Sequence, residues 1–102
     1  MNSSNTVAFL MANLGSEVSQ VFMYVERGDS DKARNSAERA NKIIDELINH
    51  SELIGRTEEV EIIREIISDV LSEKRRFQVE KDEMEEYFMP FALRALSQNK
   101  II

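Results

Sequence analysis

Apolar side chains recur along this chain at steps of three and four. Val7, Met11, Leu14, Val18, Val21 and Val25 form the first series, widened by Leu10 and Phe22. That spacing gathers side chains on one stripe of a helix. It predicts a helix from about residue 5 to Arg27, entered through the cap-forming residues Ser3-Ser4-Asn5-Thr6 and stopped at Gly28. Asp29-Ser30-Asp31 then offers a cap and acids for a new first turn. Ala33, Ala37, Ala40, Ile44, Leu47, Ser51 and Ile54 continue the stepping, which predicts a second helix from Asp31 to Leu53, with Gly55 as its stop. Alanine in the early half of that stripe lets a neighbouring backbone approach closely.

Thr57 precedes Glu58 and Glu59 as a third cap followed by acids. Val60, Ile63, Ile67, Val70 and Phe77 form the next stripe, flanked by Ile62, Ile66 and Leu71, and the charged stretch Glu73 to Phe77 predicts the end of this helix. Phe77-Gln78-Val79 reads as a link. Asp82 with Glu85 three residues on resembles a capping arrangement. Met84, Phe88, Phe91 and Ala95 then repeat at helical spacing, with Tyr87, Ala92 and Leu96 alongside. Pro90 interrupts this series, and the unbroken period predicts a kink there rather than a break. Residues after Ser97 read as a frayed tail. Short connections make sequential helices antiparallel. The expected fold is all-α: an up-down antiparallel bundle of three long helices plus a fourth kinked at Pro90, in a single domain over residues 1–102.

Composition narrows the chemistry. The 102 residues include no cysteine, one histidine, three glycines and one proline. Cysteine-dependent catalysis, disulfides and thiolate metal sites are therefore excluded. So few turn residues disfavour an all-β architecture. The net charge of −6 disfavours nucleic acid, and its distribution offers no basic stripe: residues 87–102 carry only Arg94 and Lys100, whereas residues 52–86 carry twelve acids. The longest apolar run, Val7 to Ala12, falls far short of the roughly 20 residues that span a bilayer. No basic segment precedes it as in a secretory signal. A cytoplasmic protein without a membrane partner is the expectation.

The candidate reactive groups are better explained by structure. His50 has Asp45 and Glu46 nearby but no second histidine, and a di-iron bundle would place a glutamate three residues before it, where Leu47 stands. It fits the negative end of the second helix. The acids Glu58, Glu59, Glu61 and Glu65, and again Glu80, Asp82, Glu83, Glu85 and Glu86, fall early in predicted helices, where acids favour the dipole. Lys74, Arg75 and Arg76 beside Phe77 could suggest stacking on a base, but a charged helix end accounts for them. Gly15, Gly28 and Gly55 are isolated, so no phosphate-cradling loop exists, and no G-x-S-x-G elbow is present. No catalytic residue, cofactor or metal follows.

What remains is surplus apolar surface. Phe9, Met23 and Tyr24 lie away from the first stripe, and Tyr87, Phe88, Met89 and Phe91 crowd around Pro90. A helix apolar around much of its circumference has a second contact. Either the first helix is central, with neighbours on both sides, or Phe9, Met23, Tyr24, Phe88 and Phe91 form an interface, most simply in a homodimer.

The segment VSQVFMYVERGDSDKARNSAERANKIIDELI, from Val18, resembles the helical hairpin of HEPN-type domains: a helix ending near a glycine, then an alanine-rich helix. That resemblance implies a small bundle, and in the family's ribonuclease branch an arginine, a polar residue and, a few positions later, a histidine. Arg34-Asn35 matches the start, no histidine follows within reach, and so no catalytic residue carries over. An RNA-acting or nucleotidyltransferase-associated module of this kind would gather Arg34, Arg39 and Lys42 into a basic groove near Asn35. The closing segment YFMPFALRAL also resembles the end of short uncharacterised bacterial and archaeal helical proteins.

Overall fold

A computed structural model describes residues 6–53, 55, 57–72, 75–77 and 79–99. Four helices follow in order: α1 (Val7–Glu26), α2 (Ser30–Ile48), α3 (Glu58–Leu71) and α4 (Lys81–Asn99). The all-α expectation holds, with no strand among the described residues. Val18, Ile44 and Ile67, the centres of the first three stripes, are all buried.

The helix ends follow from local hydrogen bonding. Thr6 Oγ1 accepts from the Phe9 amide at 3.0 Å and caps α1, while Ser3, Ser4 and Asn5 lie outside the described residues. Gly28, at φ +73°, ends α1 in a Schellman motif. Asp29 N–H donates to the Tyr24 carbonyl and Gly28 N–H to that of Val25. Asp29 then caps α2 with its carboxylate, accepting from the Lys32 amide at 3.2 Å. One residue thus completes one helix and starts the next, which fixes the α1–α2 hairpin as antiparallel.

Several boundaries differ from the sequence reading. α2 stops at Ile48, not Leu53, because Asn49 takes the C-cap and its side-chain amide donates to the Asp45 carbonyl. A turn of 3₁₀ helix follows at Ser51–Leu53. Ser51 is therefore not on the α2 stripe, and Ile54 lies outside the described residues. Gly55 does take positive φ, +81°, but in the connector. Thr57 gives α3 no side-chain cap. α3 ends at Leu71, so Phe77 is not helical, although it packs partly buried against the core. α4 starts at Lys81, with the Glu80 amide donating to Glu83 Oε1 at 2.8 Å. That contact is half of a capping box, two residues before the Asp82–Glu85 pair that the sequence suggested. α4 runs unbroken across Pro90, and through Gln98 and Asn99 where a tail was expected.

α1 is the central element: it packs along α2 on one side and α4 on the other, and also touches α3. Leu14, Val18 and Val21 are fully enclosed there, each burial contributing about 1.5–3 kcal/mol. α2 packs on both α1 and α3, and its Ala33, Ala37 and Ala40 are buried. Polar pairs tie the neighbours: Arg39 Nε to Glu17 at 3.1 Å, Ser36 Oγ to Gln20 at 3.1 Å, and Arg64 Nη2 to Asp45 at 2.7 Å. At Gly15 a Cβ would stand 2.7 Å from Phe88 Cγ, so the missing side chain is what lets α4 close on α1.

Candidate functional site

α4 has two unlike flanks. One faces α3. There Tyr87 Oη donates to Glu59 Oε1 at 2.5 Å, and its ring meets those of Phe88 (centroids 5.0 Å, edge-on) and Phe91 (5.9 Å). Burial pushes the Tyr87 hydroxyl above its ordinary 10.0, and the hydrogen bond to Glu59 and its charge add to this. Among the described residues, no helix besides α1 neighbours the other flank of α4. That flank forms a groove of about 420 Å³ with α1, lined by Ala12, Gly15, Ser16, Met23, Phe88 and Met89 among others. Beyond it Met89, Leu93 and Leu96 are 54%, 60% and 69% exposed, three large apolar side chains at steps of four and three on one stripe. The spacing puts Leu96 alongside the buried series; with no helix besides α1 on that flank among the described residues, it is exposed instead.

The groove is nearly free of charge. Its one ionised side chain, Glu85, accepts from Ser19 Oγ at 2.7 Å and pairs with Lys81 Nζ at 3.7 Å. The α1 wall offers alanine, glycine, serine, glutamine and methionine.

The residues singled out from the sequence do not form one patch. Met23 lines the groove. Phe88 is only 5% exposed and is the groove's floor, a core residue and not a free contact, because it fills the notch at Gly15. Phe91 lies on the α3 flank, partly buried, with the Arg94 guanidinium over its ring at 5.8 Å. Tyr24 has Lys32 Nζ over its ring at 5.8 Å. Phe9 is exposed on α1. Leu93 and Leu96 were missed as surface because periodicity places a side chain on a face, not that face against a neighbour.

The other candidates resolve into structural roles. His50 follows α2 instead of ending it, and its Nδ1 accepts from the Glu52 amide at 3.2 Å. Lys74 lies outside the described residues. Arg75 and Arg76 belong to the α3–α4 connector rather than to a helix end, and both address Asp69, which sequence reasoning overlooked. Asp69 is 3% exposed and accepts from Arg75 Nε at 2.9 Å, the Arg76 amide at 2.5 Å and the Phe77 amide at 3.1 Å. Arg75 Nη2 donates onward to the Phe77 and Val79 carbonyls. Desolvation pushes the Asp69 carboxyl up, but these amide and guanidinium donors outweigh it and hold the group below its ordinary 3.8. The signal was present: an acid between Ile66 and Val70, in apolar register. Arg34 pairs with Asp31 at 2.7 Å and Arg39 with Glu17, so two of the three cations of the expected basic groove, all but Lys42, are matched by acids. Among the described residues, no three acids or histidines converge as metal ligands, and no helix is long and apolar enough to cross a membrane. Comparisons with protein-family models, curated proteins and solved structures give no match.

Proposed function

We propose that this chain is a non-enzymatic interaction module that forms a homodimer through the open α1–α4 face. The observation carrying this reading is the exposed stripe of Met89, Leu93 and Leu96 beside a groove whose one charged lining residue, Glu85, is paired with Lys81. Exposed apolar patches of this kind mark contact surfaces, and the methionines at its rim pack adaptably. The chain carries −6, so two copies repel at long range. A face without unpaired charge in the groove is where they can approach most closely. The cysteine-free sequence agrees with a cytoplasmic protein.

Sedimentation equilibrium tests the proposal. Wild type is expected to dimerise at micromolar concentration, and Leu93→Glu to sediment as a folded monomer, since Leu93 is exposed and its loss leaves the core intact. A wild-type monomer at high micromolar concentration would overturn it.

A further inference from the structure

A second cavity lies on the α3 flank of α4, where the start of α1, the α2–α3 connector and the start of α3 converge. Its volume is about 490 Å³, inside the range of roughly 300–1,000 Å³ usual for small-molecule sites. Val7, Leu53 and Phe91 supply apolar wall, and Glu58, Glu59 and Arg94 supply charge. These unlike charges share one cavity and stand too far apart to pair. Among the described residues, neither Arg94 nor Glu58 makes an ion pair or a side-chain hydrogen bond. Two of the charges are held by aromatic neighbours instead. The Arg94 guanidinium lies over the Phe91 ring at 5.8 Å, and Tyr87 Oη donates to Glu59 Oε1. Glu59 Oε2 has no partner among the described residues.

We propose that this cavity binds a small zwitterion with an apolar body, in its simplest form a free aliphatic α-amino acid. The ligand carboxylate meets Arg94, its ammonium meets Glu58 and Glu59, and its side chain lies against Val7, Leu53 and Phe91. A guanidinium takes a carboxylate through two parallel hydrogen bonds, the strongest pairing open to it. A ligand with positive charge alone would leave Arg94 unmatched, and one with negative charge alone would face two carboxylates. The site stands apart from the open α1–α4 face, so it neither needs the homodimer nor competes with it.

Titration of the isotope-labelled chain with L-leucine, followed by amide resonances, tests the proposal. The amides of Leu53, Glu58, Glu59 and Arg94 are expected to shift together, with a Kd of about 1 mM or below. N-acetyl-L-leucine lacks the ammonium and L-leucinamide lacks the carboxylate, so each should bind at least about tenfold more weakly. Arg94→Gln and Glu58→Gln each remove one charge at an exposed position, and each should weaken leucine by about the same factor. Circular dichroism checks that both variants keep the fold. The proposal is overturned by an absence of shifts at about 10 mM leucine, by shifts centred on the α1–α4 groove instead, or by equal binding of leucine and its singly charged analogues. Leucine binding unchanged in a folded Arg94→Gln variant overturns it as well.

Discussion

Gly15 lacks a Cβ, and that absence sets the distance between α1 and α4. An added Cβ would stand 2.8 Å from Phe88 Cβ and 2.7 Å from its Cγ. Those atoms sit at the root of the side chain, so no rotation of Phe88 relieves the contact and the α4 backbone must move. Two effects compete in Gly15→Ala. Alanine gains about 1 kcal/mol in helix propensity, whereas overpacking costs about 1–3 kcal/mol. The contact is rigid, so the cost prevails, and the variant is expected to be less stable by about 1 kcal/mol in urea denaturation. Phe88→Ala removes Cγ and Cδ1 and leaves only the Cβ contact, so Gly15→Ala should cost less in that background than in wild type, giving a coupling of at least about 0.5 kcal/mol in a double-mutant cycle. A Gly15→Ala variant more stable than wild type would show that α4 does not press on this site.

At the level of elements, the connectors differ in how they are held. The α1–α2 turn is written locally, in Gly28 and Asp29, and was legible for that reason. The α3–α4 connector depends on Asp69, a side chain six to eight residues away from the groups it binds. Periodicity alone counted Phe77 as the next residue of the α3 stripe. What ends α3 at Leu71 and folds Phe77 back is a buried carboxylate that collects two amides and a guanidinium. The early end of α2 is hidden from periodicity in the same way: Asn49, at φ −92°, closes the helix with its side-chain amide on the Asp45 carbonyl, whereas Gly55, the stop the sequence suggests, lies beyond it in the connector. Asp69→Asn keeps one acceptor oxygen but turns an amide donor toward other donors. It should lower the melting temperature and hasten tryptic cleavage after Arg75 and Arg76, while α1 and α2 stay resistant. The Asp69 carboxyl titrates lower in the folded than in the unfolded chain. Its stabilisation is therefore complete above the ordinary 3.8 and disappears as pH falls through the lower folded value. Thermal melts across about pH 2 to 5 should show that acid-side loss in wild type and a smaller one in Asp69→Asn. Identical profiles would mean the carboxylate does not hold the connector.

For the whole molecule, α1 shares its buried surface with every other helix, while α4 adheres through Phe88 on α1 and Tyr87 on α3 and leaves its remaining flank open. Elements with fewer buried contacts open below the global unfolding free energy. Native-state hydrogen exchange should therefore find the amides of Leu14, Val18 and Val21 opening only with global unfolding, and those of Met84 to Ala95 opening at lower free energy. Pro90 sharpens the contrast, since it donates no amide and leaves one carbonyl of the preceding turn without its helical partner. A dimer that covers α4 adds a second effect. Raising protein concentration stabilises the covered helix by mass action, so protection of α4 should climb with concentration more than that of α1, and Leu93→Glu should remove the climb without changing α1. Were α1 and α4 to exchange together at every concentration, α4 would be part of one cooperative unit with the core, and its open flank would carry no partner.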